Sequence, residues 1–151
     1  MTRYDVRFTG RWRTPLPPDA LYTTLADIAN YASWWPEMRH TRLTREGEAE
    51  VTLRALLPYQ LTMRVQRLVE DPVSRVLEAA LDGDITGHIR WDIRASTPAG
   101  SIAVLTQAVT VNKPSLRRLM PLARPLFRLN HALSMRSGRR ALLTRTCSAG
   151  G

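Results

Sequence analysis

The stretch that decides the fold of this chain runs from Pro114 to Arg145 and reads PSLRRLMPLARPLFRLNHALSMRSGRRALLTR. At about 100° per residue, this stretch predicts one long amphipathic helix. The apolar stripe of its first half comprises Leu116, Leu119, Met120, Ala123, Leu126 and Phe127. The stripe continues as small or polar residues, namely Asn130, Ser134, Ser137, Gly138 and Ala141. We expect the first half to anchor the fold, with bends at Pro121 and Pro125, and the second half to leave room for a ligand.

The opposite face of this helix is rich in arginine, as is the chain as a whole. The formal net charge is +9, and all but one of the 22 basic residues are arginine. Such a field favours anionic partners, but the arginines are spread over predicted strands and helix alike. A solvated surface is therefore the simplest interpretation. An anionic membrane surface or an acidic protein is the alternative partner, a homodimer is compatible with the sequence, and nucleic acid is not expected.

The composition is that of an ordinary globular domain. Of the 151 residues, 44% are hydrophobic and 23% are charged, which is typical of folded chains. The sequence has no apolar run near the roughly 20 residues that a membrane span needs, and no signal-peptide pattern at its start. We expect a single domain over residues 1–146 and a disordered tail over 147–151. The lone Cys147 excludes an internal disulfide and favours a cytoplasmic location.

The residues before the long helix alternate in polarity as strands do. Residues 4–13 predict a half-buried strand with Tyr4, Val6, Phe8, Gly10 and Trp12 on one face. Two short helices are predicted next, at 20–26 and 27–33, and Pro36 stops the second one. Six further strands are predicted at 38–45, 48–57, 60–70, 74–82, 85–96 and 101–112. Because their connections are short, we expect antiparallel neighbours.

This order of elements predicts an α+β fold: a curved seven-stranded antiparallel sheet wrapped around the C-terminal helix. It resembles the helix-grip fold of the START / polyketide-cyclase-like (SRPBCC) superfamily over nearly the whole chain. The residues that carry the resemblance are Trp34-Trp35-Pro36, the segment from Gly83 to Gly87 through Trp91, and Asn130-His131 through Met135 and Gly138. The resemblance implies a deep, mostly apolar pocket between sheet and helix. Members bind lipids, sterols, isoprenoids or aromatic polyketides, and some are cyclases or dehydratases.

Candidate ligand-binding residues follow from the alternation of the strands and from the helix stripe. They are Trp35, Met63, Trp91, Leu105, Phe127, Asn130 and Ser134. A buried Asn130 amide needs partners, and these are either strand backbone, the indole of Trp35 or Trp91, or a ligand. Gly87 either bends the sheet or makes space for a ligand. The Trp34-Trp35-Pro36 segment forms either a lip over the pocket or a plug that pins the short helices to the sheet.

The sequence offers no catalytic constellation. None of His40, His88 and His131 has an obvious orienting acid. Metal-ligand spacings, phosphate-binding glycine loops and nucleophile elbows are absent from the sequence, so we expect no metal and no cofactor.

The leading hypothesis is therefore a non-catalytic carrier or sensor of an apolar or amphipathic small molecule. The first alternative is a polyketide cyclase/aromatase or dehydratase, in which Asn130, Ser134, His131 or Asp84 would move protons. The second alternative is a basic surface module for an acidic partner or an anionic membrane.

Overall fold

The computed structural model describes residues 5–54, 60–118 and 120–149, with backbone only at 120–124, 126, 127 and 145–149. The strands are β1 (Asp5–Thr14), β2 (Met38–Arg45), β3 (Glu48–Leu53), β4 (Leu61–Asp71), β5 (Val76–Gly83), β6 (Ile85–Ala95) and β7 (Ser101–Val111). The helices are α1 (Pro18–Ala26), the 3-10 helix η1 (Ile28–Ser33), α2 (Pro114–Arg117) and α3 (Met120–Ala149).

The strands form one antiparallel sheet in the order β1-β7-β6-β5-β4-β3-β2. The first strand pairs with the last one, and every other pair is joined by a short connection. β1 and β2 are therefore the two edges of the sheet. The predicted seven-stranded antiparallel sheet with a C-terminal helix is confirmed, and the strand bounds agree within a few residues. Residues 55–57, which we predicted as the end of a strand, lie outside the described residues.

The C-terminal segment differs from the single helix predicted over residues 114–145. α2 ends at Arg117, Arg118 is in a turn, and α3 begins at Met120. Pro121 explains the restart, because a proline has no N–H and is best tolerated in the first turn of a helix. Pro125 lies inside α3. α3 also continues to Ala149, beyond the domain end that we expected at residue 146.

Four tryptophans hold the short helices against the sheet. The ring of Trp12 on β1 lies 5.3 Å from the ring of Trp35 and 5.0 Å from that of Trp91 on β6, centroid to centroid. Trp34 and Trp35 are both buried, and they contact Tyr31 of η1. The Tyr31 hydroxyl donates a hydrogen bond to the Leu25 carbonyl oxygen at 2.5 Å. This packing supports the plug interpretation of the Trp34-Trp35 segment.

Trp35 also fixes the position of α3. Its indole Nε1 donates a hydrogen bond to the Ser134 carbonyl oxygen at 3.0 Å. A Cβ at Gly138 would lie only 2.5 Å from Cε2 of the Trp35 ring. Gly138 therefore leaves no open space, because the indole already fills it.

The expectation that all of Asn130 to Ala141 would wall a pocket is wrong in part. Gly138 is covered by Trp35, and Ala141 packs on the core cluster around the tryptophans. Two bulky residues that the stripe omitted, Met135 and Leu142, are buried on the same face. Among the described side chains of α3, the small or polar residues of the predicted stripe that line the cavity are Asn130 and Ser134.

Gly87 on β6 is explained by a close approach between strands. It has φ of +156°, and a Cβ there would lie 2.0 Å from the Ala108 carbonyl oxygen of β7. Any other residue type at this position has a Cβ, which would push β6 and β7 apart. Gly87 is therefore required by strand packing. It is not one of the described residues that line the cavity.

We predict that Gly138→Ala destabilises the protein by about 1–3 kcal/mol, the usual range for overpacking a core. At an exposed helical site, the same change stabilises by roughly 0.8–1 kcal/mol. The two expectations have opposite signs, so urea unfolding distinguishes them. Ser137→Ala, one residue away, serves as the control and should change the free energy of unfolding by no more than about 0.5 kcal/mol. A stabilising Gly138→Ala would contradict the seating of Trp35 on α3.

Candidate functional site

A cavity of about 210 Å³ lies between the sheet, the short helices and α3. Its walls are mostly apolar. The sheet contributes alternate residues of its inner face, including Val51 and Leu53 of β3, Met63 and Val65 of β4, and Leu77 and Leu81 of β5. The short helices contribute Leu25, Ile28 and Tyr31.

Six of the seven predicted ligand-binding residues line this cavity. Trp35, Met63, Trp91 and Leu105 form parts of its apolar wall, and Asn130 and Ser134 face it from α3. The side chain of Phe127 lies outside the described residues, so its predicted role stays a prediction. Binding of a ligand by the other six also stays a prediction at this point.

A group of uncharged polar side chains lines the cavity where α3 passes over β1 and β7. Asn130 is buried there, with 7% of its surface exposed. His131 Nε2 lies 3.2 Å from Oε1 of Gln107 on β7. The imidazole also stacks on Phe8 of β1, with ring centroids 4.0 Å apart and planes 13° from parallel. One end of an apolar cavity thus presents an amide and an imidazole.

Burial lowers the pKa of His131 from its ordinary 6.5 to about 4. Removing the imidazolium from water disfavours the charged form. His131 is therefore neutral near pH 7. With Nε2 donating to the Gln107 oxygen, Nδ1 carries a free lone pair and can accept a hydrogen bond.

Gln107 was missed by our sequence analysis, although the sequence carries its signal. On β7, the inward positions are Ser101, Ala103, Leu105, Gln107, Val109 and Val111. One amide within this apolar alternation predicts a buried polar group that needs a partner. The partner, His131, comes from the helix and was not predictable without the tertiary structure.

Other candidate catalytic residues lie away from the cavity. The Asp84 carboxylate accepts a hydrogen bond from the Thr62 backbone N–H at 2.9 Å, and its role is to hold the β5–β6 turn against β4. His40 and His88 are exposed and do not line the cavity. The structure therefore does not bring Asp84 to the site, and the proposed proton transfer by Asp84 is not supported.

The rim of the cavity on the β2 side of the sheet is charged and partly apolar. Arg67 of β4 forms an ion pair with Glu70 at 2.5 Å. Hydrogen bonds from Thr44 and then Arg45 lower the pKa of the Glu48 carboxyl. Leu43 and Val69 are exposed at the same rim.

Metal chemistry has no evident ligand set in the described residues. These residues contain no group of three or more histidine, cysteine, aspartate or glutamate side chains that could hold a metal ion. Among the same residues, no helix combines the length and the apolar character that crossing a bilayer requires.

The sequence pattern of one protein family, described as polyketide cyclase / dehydrase and lipid transport, matches residues 14–133. The chain belongs to this family. The resemblance to the START / polyketide-cyclase-like superfamily is thereby confirmed. No curated protein matches the chain in sequence.

Solved structures of other proteins share this fold. The Zhui aromatase/cyclase from Streptomyces sp. R1128 superimposes with a TM-score of 0.72 at 17% identity, covering 93% of this chain and 92% of that one. The protein TTHA0849 from Thermus thermophilus gives 0.72 at 18% identity, with coverage of 93% and 98%. A START superfamily protein from Mycobacterium smegmatis gives 0.61 at 14% identity, with coverage of 88% and 96%. At these identities the likeness establishes the fold alone.

We predict that His131 makes the stability of this family member pH-dependent below neutrality. Because its folded pKa is lowered, the unfolded chain takes up the proton first as the pH falls. Stability from this group is complete above about pH 6.5 and decreases as the pH falls towards about 4.

The matched variant is His131→Phe, which keeps an aromatic ring against Phe8 and cannot titrate. The free energy of unfolding of the native protein should fall relative to that of the variant across this pH window. Parallel pH profiles for the two proteins would show that His131 is not desolvated.

Proposed function

We propose that the protein binds a small apolar or amphipathic molecule, such as a lipid or a polyketide, in the cavity between its sheet and α3. The observation that carries this proposal is the cavity itself, about 210 Å³ of mostly apolar space inside a folded domain. Packed cores contain few voids larger than a water molecule. An unfilled interior of this size reduces stability, so a bound ligand explains why it is retained.

The volume also limits what the ligand can be. Pockets for drug-sized molecules span about 300–1,000 Å³, so 210 Å³ holds a small molecule or one part of a larger one. The apolar walls supply affinity by burial of hydrocarbon, and Asn130 and His131 supply a hydrogen-bonding end. A carrier or sensor needs only such apolar walls and a hydrogen-bonding end. We also propose that the protein acts in the cytoplasm.

Filling the cavity should abolish binding without disturbing the fold. Ala79 of β5 lines the cavity, and Ala79→Trp places an indole within it. We expect at least about a tenfold loss of affinity for an environment-sensitive fluorescent lipid probe, since the volume that receives the probe is occupied.

Ala80→Trp is the matched control, because Ala80 is the next residue of β5 and points to the other face of the sheet. It should bind the probe as the native protein does. Native mass spectrometry of the purified protein gives a second measurement, in which co-purified ligand should be present for Ala80→Trp and absent for Ala79→Trp. Equal binding by both variants would contradict the proposed site.

A second candidate function is cyclisation of a polyketide chain, favoured by the neutral imidazole of His131 at the polar end of the cavity. In such a step, the imidazole takes a proton from a carbon between two carbonyls while that carbon forms a ring bond to a third carbonyl. The imidazolium returns that proton to the alkoxide formed from the third carbonyl, which becomes a hydroxyl. For loss of water, the imidazole takes the second proton of the same carbon and passes it to the hydroxyl, so that water leaves as a C=C bond forms. The family description and the Streptomyces aromatase/cyclase of similar fold support this candidate.

For this candidate, we predict that His131→Ala lowers kcat by about 10²–10⁴-fold, the usual contribution of a general acid–base. Ring closure of a linear polyketide thioester, followed by absorbance, is the measurement. His88→Ala serves as the control, because His88 lies on the outer face of β6 and is exposed. Unchanged turnover in His131→Ala would leave binding as the only supported function.

A further inference from the structure

A second concavity lies on the outside of the molecule, between the edge strand β1 and α3. It is an open groove of about 520 Å³. Unlike the cavity, it is strongly basic. Its arginines are Arg7 and Arg11 of β1 and Arg128, Arg136 and Arg139 of α3.

The charges of this groove are not neutralised by the described part of the protein. The described lining contains no aspartate and no glutamate. The ion pairs within the described residues are formed by other cations. These are arginines of β2, β4, β6 and the β4–β5 turn, together with Lys113. Arg139 donates a hydrogen bond to the Arg13 carbonyl oxygen at 3.0 Å, which fixes one guanidinium at the end of the groove. Five such cations in one concavity form an electrostatic site for an anion.

The position of β1 explains why strand and helix arginines converge. Arg7 and Arg11 alternate with Phe8 and Gly10, so they belong to the outer face of the sheet. Because β1 is an edge strand, no neighbouring strand covers its free side, and residues of its outer face line the groove beside α3. An interior strand could not present them there.

Three described residues separate this groove from the apolar cavity. Phe8, His131 and Met135 line both spaces. Phe8 and His131 form the stacked pair described above, and Met135 packs against the inner face of β1 at Gly10. Met135 has three rotatable bonds and adapts readily to a new neighbour. The wall is thus one side chain thick.

The opposite rim of the cavity is less suited to an anion. There, Arg67 is already paired with Glu70, and the two acidic residues of that part of the lining, Glu48 and Glu78, are paired with Arg45 and Arg90. At that rim, the charged lining residues are already in ion pairs. On the β1 side, the charged residues of the described groove lining are all arginines. The charge distribution therefore distinguishes the two openings.

We propose that the ligand is an anionic amphiphile. Its acidic head group binds among the arginines of the groove, and its apolar part passes between Phe8, His131 and Met135 into the cavity. This inference rests on the proposed function, which it deepens by naming the ligand class. It also accounts for the modest volume of the cavity, because the head group is bound outside it.

The test compares two probes that share one alkyl chain, decanoate and decanol, by calorimetric titration of the whole chain at pH 7 and low salt. We expect decanoate to bind more tightly than decanol. In Arg128→Gln/Arg136→Gln, the affinity for decanoate should fall about tenfold or more, the factor that a lost charge-assisted hydrogen bond gives. The affinity for decanol should not change.

Arg39→Gln/Arg94→Gln removes the same net charge outside the groove, from exposed positions on β2 and β6, and should leave both affinities unchanged. If the native protein binds both probes equally, the anionic head-group site is wrong while the binding cavity stands. An equal loss of decanoate affinity in both double variants would also overturn the inference, because the effect would be one of total charge. If the native protein binds neither probe, the proposed function itself fails, and this inference fails with it.

Discussion

The contact on which the rest of the structure depends is that of the Trp35 indole with α3. It joins three parts of the chain: the loop after η1, the tryptophan cluster on β1 and β6, and the middle of the C-terminal helix. Gly138 is the residue that permits it, since a Cβ there would occupy the position of the ring. With the indole in place, α3 is held above the sheet at one end. The remaining distance between helix and sheet is then available as interior volume.

The cavity is lined by side chains that also belong to the supporting core. One buried cluster, centred on Trp12, Trp35 and Trp91, holds the short helices and α3 on the sheet. A second cluster, around Val51, Met63 and neighbouring strand residues, forms the far wall. The cavity lies between them, and its polar end is where Gln107 meets the helix histidine. Along α3, the polar end of the cavity at Asn130 and His131 is followed directly by the supporting contacts at Ser134, Met135 and Gly138.

The periodic spacing of apolar residues and the turn-forming residues between them sufficed to predict the seven strands, the two short helices and the cavity wall. Strand alternation determines which face of the sheet a residue occupies. Two features depended on contacts distant in sequence. The small residues of the helix predicted open space, yet Gly138 is filled by the ring of Trp35, which comes from the far end of the chain. The stripe also omitted Met135 and Leu142, because at about 100° per residue these lie beside the small residues and not among them. Gln107 could have been predicted from its alternation, but its pairing with His131 could not.

The placement of α3 has a consequence for how binding preference can diverge among proteins of this architecture. α3 meets the sheet mainly at β1, and the inner residues of β3, β4 and β5 face the cavity without supporting the helix. Leu77 of β5 belongs to the tryptophan cluster, whereas Val51 and Leu53 of β3 and Met63 of β4 lie in or against the second cluster. Changes in the size of these β3 and β4 side chains therefore act on the cavity wall and not on the contact of Trp35 with α3. Substitutions on β3 and β4 that exchange size between neighbouring wall residues, and so conserve the total volume, can reshape the cavity while the tryptophans that hold α3 stay in place.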